Sequence, residues 1–131
     1  MRKLISVLGI VLAISGGVVL ADIDLSDFDD DVMRTMDDTN KNLEPDINAK
    51  NAAGAKEGAE IIQQGLKWTE EYFANKGTAP DGVKFAQEGE QHVTEILQFL
   101  AQNDFEKAAA SSRALTKNCR TCHDAYKPLT K

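Results

Sequence analysis

The 131 residues carry 21 acidic against 15 basic side chains, a net charge of −6 with both histidines neutral, and 42% of them are apolar. That length holds one domain. An acidic chain of this kind excludes nucleic acid and an anionic membrane surface as electrostatic partners.

At the start, Met1-Arg2-Lys3 precedes an apolar run from Leu4 to Leu20, broken by Ser15, Gly16 and Gly17, and Val19-Leu20-Ala21 leads into Asp22. A positive n-region, a hydrophobic h-region and a small residue at the cleavage point predict a signal peptide over residues 1–21 and a mature domain over 22–131. Export to the bacterial periplasm follows. The run is short and glycine-interrupted for a span of about 20 residues, so no stable membrane association is expected after cleavage. No cysteine in the leader suggests a lipid anchor. Cleavage removes Arg2 and Lys3 and no acid, leaving the mature chain two units more negative. Such a surface suits brief, salt-sensitive docking on a basic patch of a protein partner.

In the mature chain, Ser26 with Asp29 three residues on reads as a helix N-cap. Asp27, Asp29, Asp30 and Asp31 crowd the first turn, where carboxylates complement the helix dipole. Phe28, Val32, Met36 and Leu43 recur at near-helical spacing, with Met33 on the flank. This first helix is expected to stop near Glu44, because Pro45 disfavours helix in the residue before it.

A second helix is expected from about Ile47 to Asn75, with Ala52, Ala55, Ala59, Ile62, Leu66, Thr69 and Phe73 on one face. Its early half is rich in alanine and glycine, which permits close packing of a neighbour. Gly77-Thr78-Ala79-Pro80-Asp81-Gly82 reads as a loop. The third helix follows from about Val83 to Gln102, with Ala86, Val93, Ile96, Leu97 and Leu100 inward. His92, on this helix, reads as a surface or packing histidine. Asn103-Asp104 is a turn with capping residues. The last helix spans about Asp104 to Lys127, with Phe105, Ala108, Ala109, Ser112, Leu115, Thr116, Cys119, Cys122, His123 and Tyr126 inward, and Pro128 ends it. Four amphipathic helices with short connections predict an all-α, antiparallel, up-down-up-down four-helix bundle.

The most specific chemistry lies near the end, at Cys119-Arg120-Thr121-Cys122-His123. Cys-x-x-Cys-His is the signature of covalent haem attachment. Positions i, i+3 and i+4 share one helix face, so two thiols can form thioethers to haem vinyl groups while the imidazole binds iron. One haem c on the last helix is the expected cofactor. A Cys-x-x-Cys disulfide competes for the same sulfurs in an oxidising compartment. Zinc competes too, with His92 as the fourth ligand that a structural site requires. No nucleophile–base constellation asks for an enzyme.

The mature region resembles the class II c-type cytochromes, the cytochrome c′ family and its low-spin methionine-ligated relatives. The likeness rests on a haem motif near the C-terminus of the last of four helices. It is sharpest over Cys119 to Lys127, where Tyr126 and Lys127 supply an aromatic and then a basic residue after the histidine. The resemblance implies that Cys119 and Cys122 hold the haem, His123 ligates iron and Lys127 lies near the ring. It also implies that the first helix covers the opposite face, with a methionine ligand or a blocking leucine or phenylalanine. Met33 lies where that residue is expected and Met36 is one turn further on. The family tends to carry an arginine one turn earlier, where this chain has Asp29. The alternative for both methionines is core filling.

Two functions follow from the sixth iron position. With methionine there, the protein is a one-electron carrier. Without it, five-coordinate iron binds nitric oxide or carbon monoxide. Members of the family that the chain resembles often pair as homodimers through their early helices, and the alanine-rich second helix permits, without establishing, such a pairing here.

Overall fold

The structure, a computed structural model, describes residues 24–126. The expected signal peptide, Lys127 and Pro128 lie outside the described residues. Within them the chain forms four helices and no strand: α1 (Asp30–Asn48), α2 (Ala52–Lys76), α3 (Pro80–Ala101) and α4 (Phe105–Ala125). None of these is long and apolar enough to cross a membrane.

Each helix packs on its neighbour in sequence, and α1 closes the ring against α4. Facing residues give the directions. Met36 lies against Gly65 and Leu43 against Gly58; Leu66 lies against Gly89 and Phe73 against Gly82. Asn118 bonds Phe85, Ser111 bonds Glu95, Thr116 bonds Asn40 and Arg113 bonds Glu44. In every pair of helices one number falls as the other rises, so all four contacts are antiparallel. The connections of three residues each allow nothing else. The result is the four-helix bundle that the apolar spacing predicts.

Leu43, Ile47, Ile62, Val93, Ile96 and Leu115 are the large side chains fully withdrawn from solvent. Each contributes about 1.5–3 kcal/mol by burial. A second, aromatic cluster of Leu25, Phe28, Phe73 and Ala79, flanked by Trp68, Tyr72, Val83 and Tyr126, closes the end of the bundle where α1 begins and α2 and α4 finish. Met33 packs against both clusters.

Four boundaries differ from expectation: both ends of α1, the start of α2 (expected near Ile47) and the start of α3. Asp29, and not Ser26, caps α1: its carboxylate accepts from the Asp31 and Val32 backbone N–H groups. Ser26 instead donates its own N–H to Asp24. The helix also runs through Pro45 to Asn48. A proline in a helix interior costs about 3 kcal/mol, but here it sits in the closing turn, and continuation buries Ile47 completely beside Leu43. The reversal to α2 therefore falls at residues 49–51, where Lys50 takes the left-handed conformation (φ 57°) and Asn51 caps α2 by accepting from the Gly54 N–H. At the far end of α2, Gly77 (φ 67°) supplies a left-handed C-cap that a Cβ would strain. Pro80 opens α3 rather than sitting in a loop, at the first-turn position where its missing N–H is no loss.

Candidate functional site

The last two turns of α4 bring Cys119, Cys122 and His123 onto one side, facing α1 across the bundle. They line a pocket whose other walls are Met33, Met36, Asp37 and Asn40 of α1, Ile62, Leu66 and Thr69 of α2, Phe85 and Ala86 of α3, and Asn118 of α4. The enclosed cavity among these side chains is small, about 60 Å³, and widens to about 570 Å³ when the open space at its mouth is included.

The lining is chiefly apolar, and most of its polar groups already have partners. Asn118 Nδ2 donates to the Phe85 carbonyl at 2.8 Å, tying α4 to α3 one residue before Cys119. Asn40 Nδ2 and Thr116 Oγ1 bond at 3.1 Å, tying α4 to α1. Thr69 Oγ1 returns its proton to the Gly65 carbonyl at 2.8 Å. Asp37 pairs with Lys41 at 2.7 Å. The walls are thus fixed, and the chemically open groups are two sulfurs, one imidazole and one thioether.

Cys119 and Cys122 are free thiols. Burial pushes Cys119 up to about 11, helped by the carboxylate of Asp37, and burial pushes Cys122 up to about 12, helped by Cys119. Both are therefore neutral S–H groups at ordinary pH. A reactive redox dithiol needs a depressed pKa; this pair has the opposite.

His123 Nε2 points at Met33 Sδ, 3.3 Å away. The two atoms touch. Methionine, with three rotatable bonds, can turn aside to admit a group between them. The donor set suits haem c: two neutral thiols on the face that carries an imidazole, a thioether opposite, and apolar walls beside them.

Met36 lines the same pocket but is held differently. It is buried, and its Cγ and Sδ fill the notch left by Gly65, where a Cβ would lie 2.4 Å from both atoms. Met33 has the freer side chain and the facing imidazole. Lys127 lies outside the described residues. His92 is not brought to the pocket: it sits on α3 near the level of Ser111, with Nδ1 3.6 Å from Glu95 Oε2. The zinc alternative loses its fourth ligand by that placement.

Periodicity overlooks Phe85, Asn118, Asn40 and Asp37 as lining residues. The first two lie beside residues assigned to the inner faces, Ala86 and Cys119, and only the helix rotation brings them in. No family model, no curated protein and no solved structure matches the chain.

Proposed function

We propose that the chain is a monohaem c-type cytochrome of the class II kind, exported to the bacterial periplasm and acting as a one-electron carrier. The observation that carries this reading is the opposition of Met33 Sδ and His123 Nε2 at 3.3 Å, beside the thiols of a Cys-x-x-Cys-His motif. In this reading Cys119 and Cys122 would hold haem c through thioethers, and His123 and Met33 would ligate its iron. When bound, the haem supplies the one-electron couple, and methionine–histidine ligation raises its potential.

The chain's own residues do the rest. Ile62, Leu66, Phe85 and Ala86 keep water from the ring. Asn118 and Asn40 hold the motif-bearing end of α4 against α3 and α1, so the ligands shift little between oxidation states. Exposed Asp30 and Asp31 at the start of α1 and Asp38 at its middle, with Asp37 at the pocket, favour a redox partner that presents a basic patch.

The test is a mass spectrum and an optical spectrum of the mature protein made in a host that matures c-type cytochromes. Covalent haem adds a fixed large mass, whereas a Cys119–Cys122 disulfide removes two hydrogens. A low-spin ferrous spectrum that carbon monoxide leaves unchanged supports the carrier. A high-spin spectrum that carbon monoxide shifts makes the protein a gas binder instead, and a colourless protein ends the haem reading.

A further inference from the structure

Met33 lies in the first turn of α1, where helices fray most readily. With Asp29 as N-cap, Met33 is the fourth helical residue and Phe28 the residue before the cap. An apolar pair at those two positions is a hydrophobic staple, which fixes the angle at which the chain enters the helix. Met33 does pack against the cluster that contains Phe28. The lateral placement of the Met33 sulfur therefore depends on what holds Phe28.

Phe28 is held unusually well for a residue outside a helix. It is 6% exposed. Its ring meets Trp68 and Tyr72 edge-on, both at 4.8 Å between centroids, and lies 6.4 Å from Phe73. Trp68 and Tyr72 stack on each other at 5.5 Å. Next door, one oxygen of Asp27 takes two partners from the last turns of α2: the Tyr72 hydroxyl donates to it at 2.6 Å and Lys76 Nζ stands 2.8 Å away. Lys76 also donates to the Asp24 carbonyl and lies over the Tyr72 ring. The segment from Asp24 to Asp29 is thus strapped across the end of α2 by one aromatic side chain and a three-residue polar clasp.

We propose that the Asp27–Tyr72–Lys76 clasp and Phe28 are positioning residues for the distal iron ligand: they lock the entry of α1 so that Met33 stays opposite His123. This rests on the reading of Met33 as sixth ligand. None of the four residues lines the pocket, so none touches the reacting group. Their effect passes through the helix start alone. Loss of the clasp lets the first turn of α1 open locally, withdraws Met33 and exposes a coordination position that small gases can use.

The test compares Asp27→Asn and Phe28→Ala with Glu44→Gln, which breaks the Arg113–Glu44 bridge at the other end of α1. Two readouts serve: the rate of carbon monoxide binding to the ferrous haem protein, and amide hydrogen exchange over residues 32–36. If the open form rises from about 1% to about 10% of molecules, the gas-binding rate rises about tenfold. Asp27→Asn and Phe28→Ala are expected to raise both quantities, and Glu44→Gln neither. Should Phe28→Ala fail to fold, Asp27→Asn and Tyr72→Phe carry the comparison. Wild-type gas binding and wild-type exchange in these variants overturn the proposal. A Met33→Ala protein with an unchanged spectrum sinks the ligand reading itself, and with it the clasp as a positioning device, even if exchange in the clasp variants is fast.

Discussion

Met33 Sδ and His123 Nε2 meet at 3.3 Å although 90 residues separate them, the first turn of α1 facing the last turn of α4. Their meeting depends on the packing of α1 on α4, the most extensive contact between helices that are not sequence neighbours. Anything that keeps the ring of helices closed at this end keeps the two side chains opposed.

That arrangement assigns the two methionines different work. Under the proposed haem reading, Met33→Ala is expected to turn a low-spin spectrum high-spin while destabilising modestly, because the side chain is only half-buried. Met36→Ala should do the reverse: a loss of about 2–5 kcal/mol, as for other buried large-to-small changes, with the spectrum unaltered. Spectra and denaturant midpoints of both variants decide it. A spectral change in Met36→Ala alone would exchange their roles.

Gly65 provides an independent check on Met36. A Cβ at this position would lie 2.4 Å from Met36 Cγ and Sδ. Overpacking costs about 1–3 kcal/mol, while alanine gains up to about 1 kcal/mol over glycine in a helix interior. Gly65→Ala should therefore destabilise the wild type. In a Met36→Ala background the clash is gone and the same change should stabilise. The sign reversal is read from a double-mutant cycle of unfolding free energies; equal effects in both backgrounds would mean that Met36 does not occupy the notch.

Much of the architecture is legible in the residues because burial is periodic. Ala55, Ala59, Ile62, Leu66 and Phe73 lie inside as their spacing requires, and so do Val93, Ile96 and Leu115. Boundaries are less legible, since caps compete locally: Ser26 and Asp29 both offer an oxygen, and the cap falls on Asp29, one residue after the buried Phe28. Pro45 misleads for a related reason, because the drive to bury Ile47 outweighs a missing hydrogen bond in a closing turn. At the pocket, Cys119, Cys122 and His123 are visible as a motif, whereas the choice between Met33 and Met36 needs helix rotation. The strap of Asp24 to Asp29 on α2 has no signal in spacing at all, being set by contacts with residues 40 or more positions away.

The thiols set an alkaline limit on the haem-free chain. Burial pushes Cys119 up to about 11 and Cys122 up to about 12, against an ordinary value of 9.0. Above pH 9 the unfolded chain loses these protons while the folded chain keeps them, so the unfolded state binds fewer protons and stability falls with rising pH. The stabilising contribution is complete below pH 9 and drains away up to about pH 12. Denaturant midpoints of the haem-free protein from pH 8 upward should fall more steeply than those of Cys119→Ala/Cys122→Ala. Under the proposed haem reading, thioether formation would remove the ionisable protons, and a haem-loaded protein should behave like the double variant. Parallel curves for all three would contradict the burial of the two sulfurs.

A carboxyl pair between α2 and α3 should produce the opposite kind of variant, one more stable than the parent. Glu90 Oε1 is buried without a hydrogen-bond partner. Burial first, and the neighbouring Glu70 second, hold the Glu90 carboxyl above its ordinary 4.5, with Lys67 opposing. Glu70 is itself engaged by Gln87 Nε2 at 2.7 Å. As pH rises above 4.5 the unfolded chain ionises at this residue before the folded chain does, so folding loses stability through that window. Glu90→Gln removes the ionisation and supplies an amide proton that can reach Glu70. It should raise stability at pH 7 by about 1 kcal/mol, the worth of one hydrogen bond gained, and the advantage should vanish near pH 4, where Glu90 carries its own proton. Unfolding curves of parent and variant at the two pH values test this. A gain that persists unchanged at pH 4 would show that packing, and not the shared charge, is what Glu90 disturbs.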